Sequence, residues 1–262
     1  MGLDFVKQAL SAGDKVVATA RNSEQIKNAI GINSSLLCER LDITIPEEAD
    51  TVIKKAMDVF GRVDILVNNA GISYKGFFEE MTIEQINHQL NVNLTGQLNV
   101  TKAVLPIMRK QRSGHVIGIS SGAGLSGFAY SSIYAASKFA VEGWLDALRK
   151  EVESFGINVT IVNPGFYRTE LISEKSMTFA SAKYSDYDNA REKQTLWWKS
   201  QAGKQPGDPK KLARLLVKIA HLDNPPKRLI AGNDVIKLIE SKIEELQNDI
   251  QFYKKLDFSL EY

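Results

Sequence analysis

The sequence predicts an α/β fold, a doubly wound parallel sheet with helices on both faces. Three observations lead there. Apolar, β-branched runs at residues 15–20, 63–67, 115–119 and 158–162 are short and continuous, the pattern of strands buried on both faces. Longer stretches of helical periodicity separate them. Several runs end in Asn, Gly, Ser or Pro, at the strand ends where open parallel sheets receive ligands. A chain of 262 residues with 44% apolar and 24% charged content suits one domain, residues 1–262, better than two small ones.

Leu3, Val6, Ala9 and Leu10 recur at helical spacing over residues 1–12, and Gly13 stops that helix before the strand at 15–20. A helix starts near Ser23, and residues 36–41 form the next strand. Thr44-Ile45-Pro46-Glu47 opens a helix with a capping Thr, a proline in the first turn and a reciprocal glutamate, and Gly61 ends it. Residues 63–67 are the clearest buried strand, closed by Asn68-Asn69-Ala70-Gly71. Residues 82–111 are helical with a break near Asn91–Asn93, residues 115–121 run as a strand into Gly and Ser, and a helix covers 132–155. After the strand at 158–162 comes Pro164-Gly165. From 170 to 203 the pattern weakens while Met177, Phe179, Tyr184, Tyr187, Trp197 and Trp198 accumulate, which reads as a substrate lid, with a disordered insert as the alternative. A helix at 209–220 and a short strand at 228–231 follow. The C-terminal extension, residues 235–262, carries Val235, Leu238, Ile239, Ile243, Leu246 and Ile250 on one helical face. That face lacks tryptophan and the other mixes acids with lysine, so packing on the domain is expected over a membrane surface.

Composition excludes several classes. The net charge of +2 comes from scattered residues with no dense basic block, against nucleic acid or anionic lipid as partner. No apolar run approaches a membrane span and no signal-peptide pattern opens the chain, so a cytoplasmic protein is expected. Cys38 is the single cysteine and reads as a strand thiol. His88, His115 and His221 lack ligand spacing, so no metal site is expected.

The candidate chemistry gathers at residues 117–140. Ser121 stands where the backbone leaves a strand, and Tyr134 and Lys138 share one face of the next helix, one turn apart. A phenol titrates at about 10 unaided, and a neighbouring ammonium favours its anion, so the pair is general acid–base equipment. A Tyr-x-x-x-Lys spacing by itself is expected roughly once by chance and is most often a surface helix contact. Its company changes the reading. Ser121 lies thirteen residues before Tyr134, Asn68-Asn69-Ala70-Gly71 closes an earlier strand, Asn93 sits in NVNLTG, and Pro164-Gly165-Phe166-Tyr167-Arg168-Thr169 follows a later one. In this order and spacing the motifs resemble the short-chain dehydrogenase/reductase family over nearly the whole chain.

The resemblance implies a Rossmann-like fold and hydride transfer between a nicotinamide and a carbonyl or secondary alcohol. It gives catalysis to Asn93, Ser121, Tyr134 and Lys138: Ser121 and Tyr134 donating to the substrate oxygen, Lys138 favouring the tyrosinate and bonding the nicotinamide ribose, Asn93 holding a water against Lys138. It gives cofactor contacts to Gly2 at the phosphate turn, Asp42 and Ile43 at the adenine, Asn69, Ala70 and Gly71 at the adenosine ribose, and Tyr134 with Lys138 at the nicotinamide ribose. Pro164, Gly165 and the backbone around Phe166–Tyr167 would face the nicotinamide, with Thr169 on its carboxamide. Arg21, with no acid beside it at the end of residues 15–20, suits a 2′-phosphate and favours NADP(H) over NAD(H). A solvated arginine at a strand end is the plain alternative. The lid aromatics with Phe77, Phe78, Phe128 and Tyr167 would line an apolar pocket, hence a hydrophobic carbonyl substrate. Val100, Ala103, Val104, Ile107 and Met108, with the helix at 132–155, suggest the contact of a homodimer or homotetramer, although core burial would give the same stripe.

In the family a central strand and a glycine-rich turn precede the first helix, and here only Gly2 of that turn is present. The sheet should then carry two unpaired internal edges, between residues 15–20 and 63–67. Either the start lies upstream and this is a truncated reading of an active enzyme, the preferred explanation, or the chain is what exists and its cofactor affinity is impaired. The rival function is accordingly a non-catalytic or cofactor-impaired binding protein on the same scaffold.

Overall fold

In a computed structural model, which describes residues 1–173 and 176–256, the chain enters through α1 (Gly2–Ser11), with Phe5 buried, and returns as β1 (Val16–Ala20). Then come α2 (Glu24–Ile30), β2 (Leu36–Arg40), α3 (Pro46–Phe60) and β3 (Ile65–Asn68). A two-residue strand β4 (Tyr74–Lys75) precedes α4 (Ile83–Leu90), α5 (Gly96–Gln111), β5 (Gly114–Ile119), α6 (Ser132–Val152) and β6 (Ile157–Pro164). The rest is β7 (Thr178–Phe179), α7 (Asp188–Gln201), α8 (Pro209–Ala220), β8 (Arg228–Ala231) and α9 (Asn233–Lys255).

Every strand pair is parallel, in the order β3-β5-β6-β8 for the main sheet, with β1-β2 and β4-β7 as separate pairs. β5 and β6 are buried on both faces: Val116, Ile117, Val159, Ile161 and Val162 enter the core, and the polar His115 and Thr160 hydrogen-bond each other there. Val141, Leu145 and Leu148 of α6 and Val104 and Met108 of α5 close one side. A Cβ at Gly118 would overlap Leu145, so the missing side chain is what lets α6 approach the sheet. On the other side Phe5 of α1 and Leu212, Ala213 and Leu216 of α8 pack on Ile117, Ile119 and Val162.

Among the described residues the second edge of β1 and that of β3 have no strand partner. A cavity of about 850 Å³ lies between them, walled by α1, α5 and α8, with Val17, Ile65 and Val67 on its flanks. The Gln97 amide, buried on this wall, has no hydrogen-bond partner at either atom.

Several sequence expectations need correction. Thr44 is not the cap of α3: Asp42 Oδ1 accepts from both Thr44 N (3.0 Å) and Thr44 Oγ1 (2.7 Å), so the hydroxyl is taken and Ile45 stands at the cap position. The break near Asn91–Asn93 is a π-helical turn, Asn91–Thr95, between α4 and α5. The segment 170–203 contains an ordered helix, α7, whose Trp198 packs with Tyr130 and Met177, and β7 ties it to β4. Residues 174 and 175 of that segment, and 257–262 of the C-terminal extension, lie outside the described residues. Val100, Val104 and Met108 are buried inside the chain, so that stripe gives no argument for an oligomer. α9 packs on the domain only at its start, where Val235 is buried. Ile243, Leu246 and Ile250 are exposed, because a helix of 23 residues outruns the body it rests on. Among the described residues no helix is long and apolar enough to cross a membrane.

Candidate active site

Ser121 leaves the carboxyl end of β5 in an extended conformation, and its Oγ accepts from Ala123 N at 3.1 Å, capping the short turn Gly122–Gly124. Its carbonyl is held from behind. Asn163 Nδ2 donates to Ser121 O (3.0 Å) and to Glu142 Oε1 (2.6 Å), while Arg228 pairs with the Glu142 carboxylate and donates to Asn163 Oδ1 (2.9 Å). Side chains of β6, α6 and β8 thus fix one backbone atom beside the site. Buried polar groups satisfied this completely hold a single geometry.

Tyr134 lies in the first turn of α6 with the Ser121 hydroxyl beside its phenol. Burial pushes the phenol up, and the Ser121 hydroxyl offsets only part of that. The expected net lowering beside Lys138 is not found. Lys138 Nζ stands 5.9 Å from the Tyr134 ring centroid and donates to Ile119 O at 2.9 Å, so desolvation of the phenolate wins. Lys138 is itself buried, which pulls it from 10.5 to about 8, with the Glu142 carboxylate one turn on pulling the other way.

Asn93 sits in the π-helical turn, a distortion frequent at functional sites. Its Oδ1 accepts from Ile72 N (2.8 Å), and its Nδ2 donates to Ile72 O (2.9 Å) and Ser137 Oγ (3.0 Å). The side chain therefore staples the loop after β3 to α6. A Cβ at Gly71 would lie 3.3 Å from Asn93 Oδ1 and 3.8 Å from Lys138 Nζ, so both residues border the same small space over that glycine.

The other expected cofactor residues fall into two groups. Gly2, Asn69, Ala70 and Gly71 come together: a Cβ at Gly2 would meet Asn69 Nδ2 at 2.9 Å, and Asn69 Oδ1 is buried without a partner. Arg21 is exposed beyond β1 and, after the Thr44 bonds, helps to hold the Asp42 carboxyl below the usual range. Ile43 packs where a Gly96 side chain would be, and Asn99 Nδ2 donates to Ile43 O at 3.0 Å. The turn after β6 differs from expectation. A Cβ at Gly165 would overlap the Asp234 carboxylate, and Asp234 Oδ2 accepts from Phe166 N at 2.7 Å. The Phe166 amide is therefore not free to face a cofactor, its ring joins Trp197 and Trp198, and the Tyr167 ring packs on Gly207. Pro164 ends β6 buried, and Thr169 is half-buried just before the turn Glu170–Ile172.

Three residues escaped sequence reasoning. Glu142 carried a signal, since it follows Lys138 at i,i+4 on the helix that bears Tyr134. Asp234 and Lys75 carried none. Lys75 is 3% exposed in β4, its Nζ donating to Ser131 Oγ at 3.0 Å and lying 5.2 Å from the Tyr134 ring centroid. Burial pulls it from 10.5 to about 7.

Both lysines are depressed in the folded state, so between about pH 7 and the ordinary lysine value the unfolded chain binds more protons and stability rises with pH. Lys75→Met removes one share of this rise. Its gain in Tm over the wild type is expected to be larger at about pH 6 than at about pH 9.5, as thermal melts across that range would record.

Comparison with known proteins agrees with this geometry. Residues 1–178 match the profile of the family described as short chain dehydrogenase. The chain belongs to the short-chain dehydrogenase/reductase family. This dehydrogenase/reductase is 36% identical over 253 residues to an uncharacterized oxidoreductase of Schizosaccharomyces pombe, covering 96% of this chain and 85% of that one. A short-chain dehydrogenase from Streptomyces avermitilis superposes with a TM-score of 0.84 at 32% identity, covering 97% of this chain and 92% of the other. ElxO with NADP bound superposes with a TM-score of 0.71 at 28% identity, covering 87% and 90%. As a member of its family the enzyme is an oxidoreductase that uses a nicotinamide cofactor.

Proposed function

We propose that this enzyme reduces apolar carbonyl compounds, or oxidises the corresponding secondary alcohols, with NADP(H), and that Asn93, Ser121, Tyr134 and Lys138 are its working residues. The observation that carries the reading is the buried Tyr134 phenol beside the Ser121 hydroxyl after β5, with the Lys138 ammonium one helical turn along α6. The residues present fit a dinucleotide: Asn69 Oδ1 is a buried acceptor without a protein partner, and Gly71 leaves its small space open beside Lys138. When bound, the nicotinamide supplies the hydride that arrives at the carbonyl carbon. The Ser121 hydroxyl donates to the substrate oxygen, Tyr134 gives that oxygen its proton, and Lys138 stabilises the phenolate left behind. Asn93 keeps the Ile72 backbone and Ser137 of α6 at fixed separation around the space where Lys138 ends. Residues 170–203 act as the lid of this single domain, and its aromatics exclude water.

The choice of NADP(H) rests on Arg21, exposed at the end of β1, and agrees with the NADP held by ElxO. Arg21→Ala is expected to raise KM for NADPH by about 10- to 100-fold, the worth of a charge-assisted hydrogen bond, and to leave KM for NADH unchanged. Steady-state kinetics with both cofactors reads the difference.

A second reading is a non-catalytic binding protein on the same scaffold, with the cavity between β1 and β3, which adjoins Gly2 and Asn69, as its pocket. Titrating the chain with NADPH and following cofactor fluorescence separates the two. Saturable binding with oxidation on added carbonyls supports the reductase, and absence of binding supports the second reading.

A further inference from the structure

Lys75 is placed at a cost. Its ammonium is buried, and among the described residues no carboxylate pairs with it. Of the three donors of an ammonium, Ser131 Oγ accepts one at 3.0 Å. The remaining neighbours are aromatic faces: the Trp198 ring of α7, with its centroid 3.5 Å away, and the Tyr134 ring at 5.2 Å. Aromatic faces tolerate a cation but do not replace an acceptor oxygen. A lysine that served packing alone would be replaced by an apolar side chain of equal length with no loss. The position also matters. Ser131 stands at the N-cap position of α6 three residues before Tyr134, and Trp198 belongs to α7 of the proposed lid, so Lys75 Nζ lies at the seam between that lid and the phenol.

We propose that Lys75 is a substrate-binding residue whose ammonium receives the carboxylate of an otherwise apolar keto acid, a few bonds from the carbonyl carbon beside Tyr134. This deepens the reductase reading and rests on it for the identity of the reacting group. The apolar cluster at the seam, Phe77, Tyr130, Phe166, Met177, Phe179 and Trp198, suits the apolar body, and the Lys75 ammonium, without a carboxylate partner, suits a single negative charge. Burial alone leaves Lys75 titrating at about 7, and an arriving carboxylate holds the proton on it.

The test uses the whole chain and two probes that differ only in charge, decanoate and 1-decanol, titrated by calorimetry into wild type, Lys75→Met and Lys75→Gln. Decanoate is expected to weaken by about 10- to 100-fold on both variants, while decanol binds all three alike. Unchanged decanoate affinity, or an equal loss for both probes, overturns the proposal. A parallel assay compares reduction of 4-oxodecanoate with that of its methyl ester, and only the acid is expected to lose kcat/KM in the variants. If neither ketone is reduced by wild type while the decanoate difference stands, the reductase reading fails and the Lys75 site survives. If both are reduced and Lys75→Met lowers both equally, the reverse holds. Replacing an unpaired buried cation by methionine is neutral or stabilising, so both variants should fold, and melting curves verify it.

Discussion

Tyr134→Phe is expected to lower kcat for carbonyl reduction by a factor of about 100 or more, with little change in KM for NADPH. The variant keeps the ring, and with it the packing in the first turn of α6, so only the hydroxyl is removed. Two losses follow from that one atom. The substrate oxygen loses its proton source, and the Ser121 hydroxyl loses its polar neighbour. Preorganised donors aimed at a developing oxyanion are typically worth about 3–4 kcal/mol each, which sets the scale. Ser121→Ala should lose a similar factor, and the double variant less than the product, because the two hydroxyls act on one oxygen. Steady-state rates at saturating NADPH, with Tm measured alongside, test the set. Full turnover by Tyr134→Phe would remove the assignment.

The second large effect concerns stability. Glu142→Ala is expected to destabilise the fold by about 2–4 kcal/mol. Its side chain is 9% exposed and engages both Arg228 and Asn163. Removing it takes the counter-charge from Arg228 and one of two acceptors from Asn163 Nδ2. Arg228 remains 35% exposed, and water reaching it keeps the loss below that of a wholly buried pair. The same change removes the carboxylate that holds Lys138 up, so the Lys138 ammonium should titrate further below about 8. Glu142→Gln separates the two consequences. It preserves an acceptor for Asn163 Nδ2 and should recover part of the stability, yet it lowers Lys138 as Ala does. Urea unfolding and lysine side-chain NMR titration give the two readouts. Equal stability of all three proteins would show that the network bears no weight.

Much of the site was legible because its chemistry lies in local spacing. Tyr134 and Lys138 are neighbours on a helix whatever the tertiary fold, and Ser121 ends a strand whose apolar run admits no other reading. β5 and β6 were equally plain, since strands buried on both faces read as near-continuous apolar runs despite a few polar residues. What escaped was tertiary. Asp234 comes to the Gly165–Phe166 turn from α9, far along the chain, and it changes which amides there are free. Lys75 lies in a strand of two residues, too short to show any period, and its burial depends on Trp198 from α7. The Thr44 hydroxyl was lost to Asp42, a local competitor that a capping pattern does not reveal. Local periodicity thus located the Tyr134–Lys138 pair, and burial by long-range packing set the direction in which each titrates.

The most direct test follows the label. With NADPH deuterated at one face of the nicotinamide C4, an apolar ketone and the wild-type chain, the account predicts one deuterium on the carbinol carbon of each alcohol formed, from one face only. It predicts the same label at a hundredth of the rate or less in Tyr134→Phe. Alcohol formed without deuterium from either labelled face, or formed as fast without the Tyr134 hydroxyl, would contradict it.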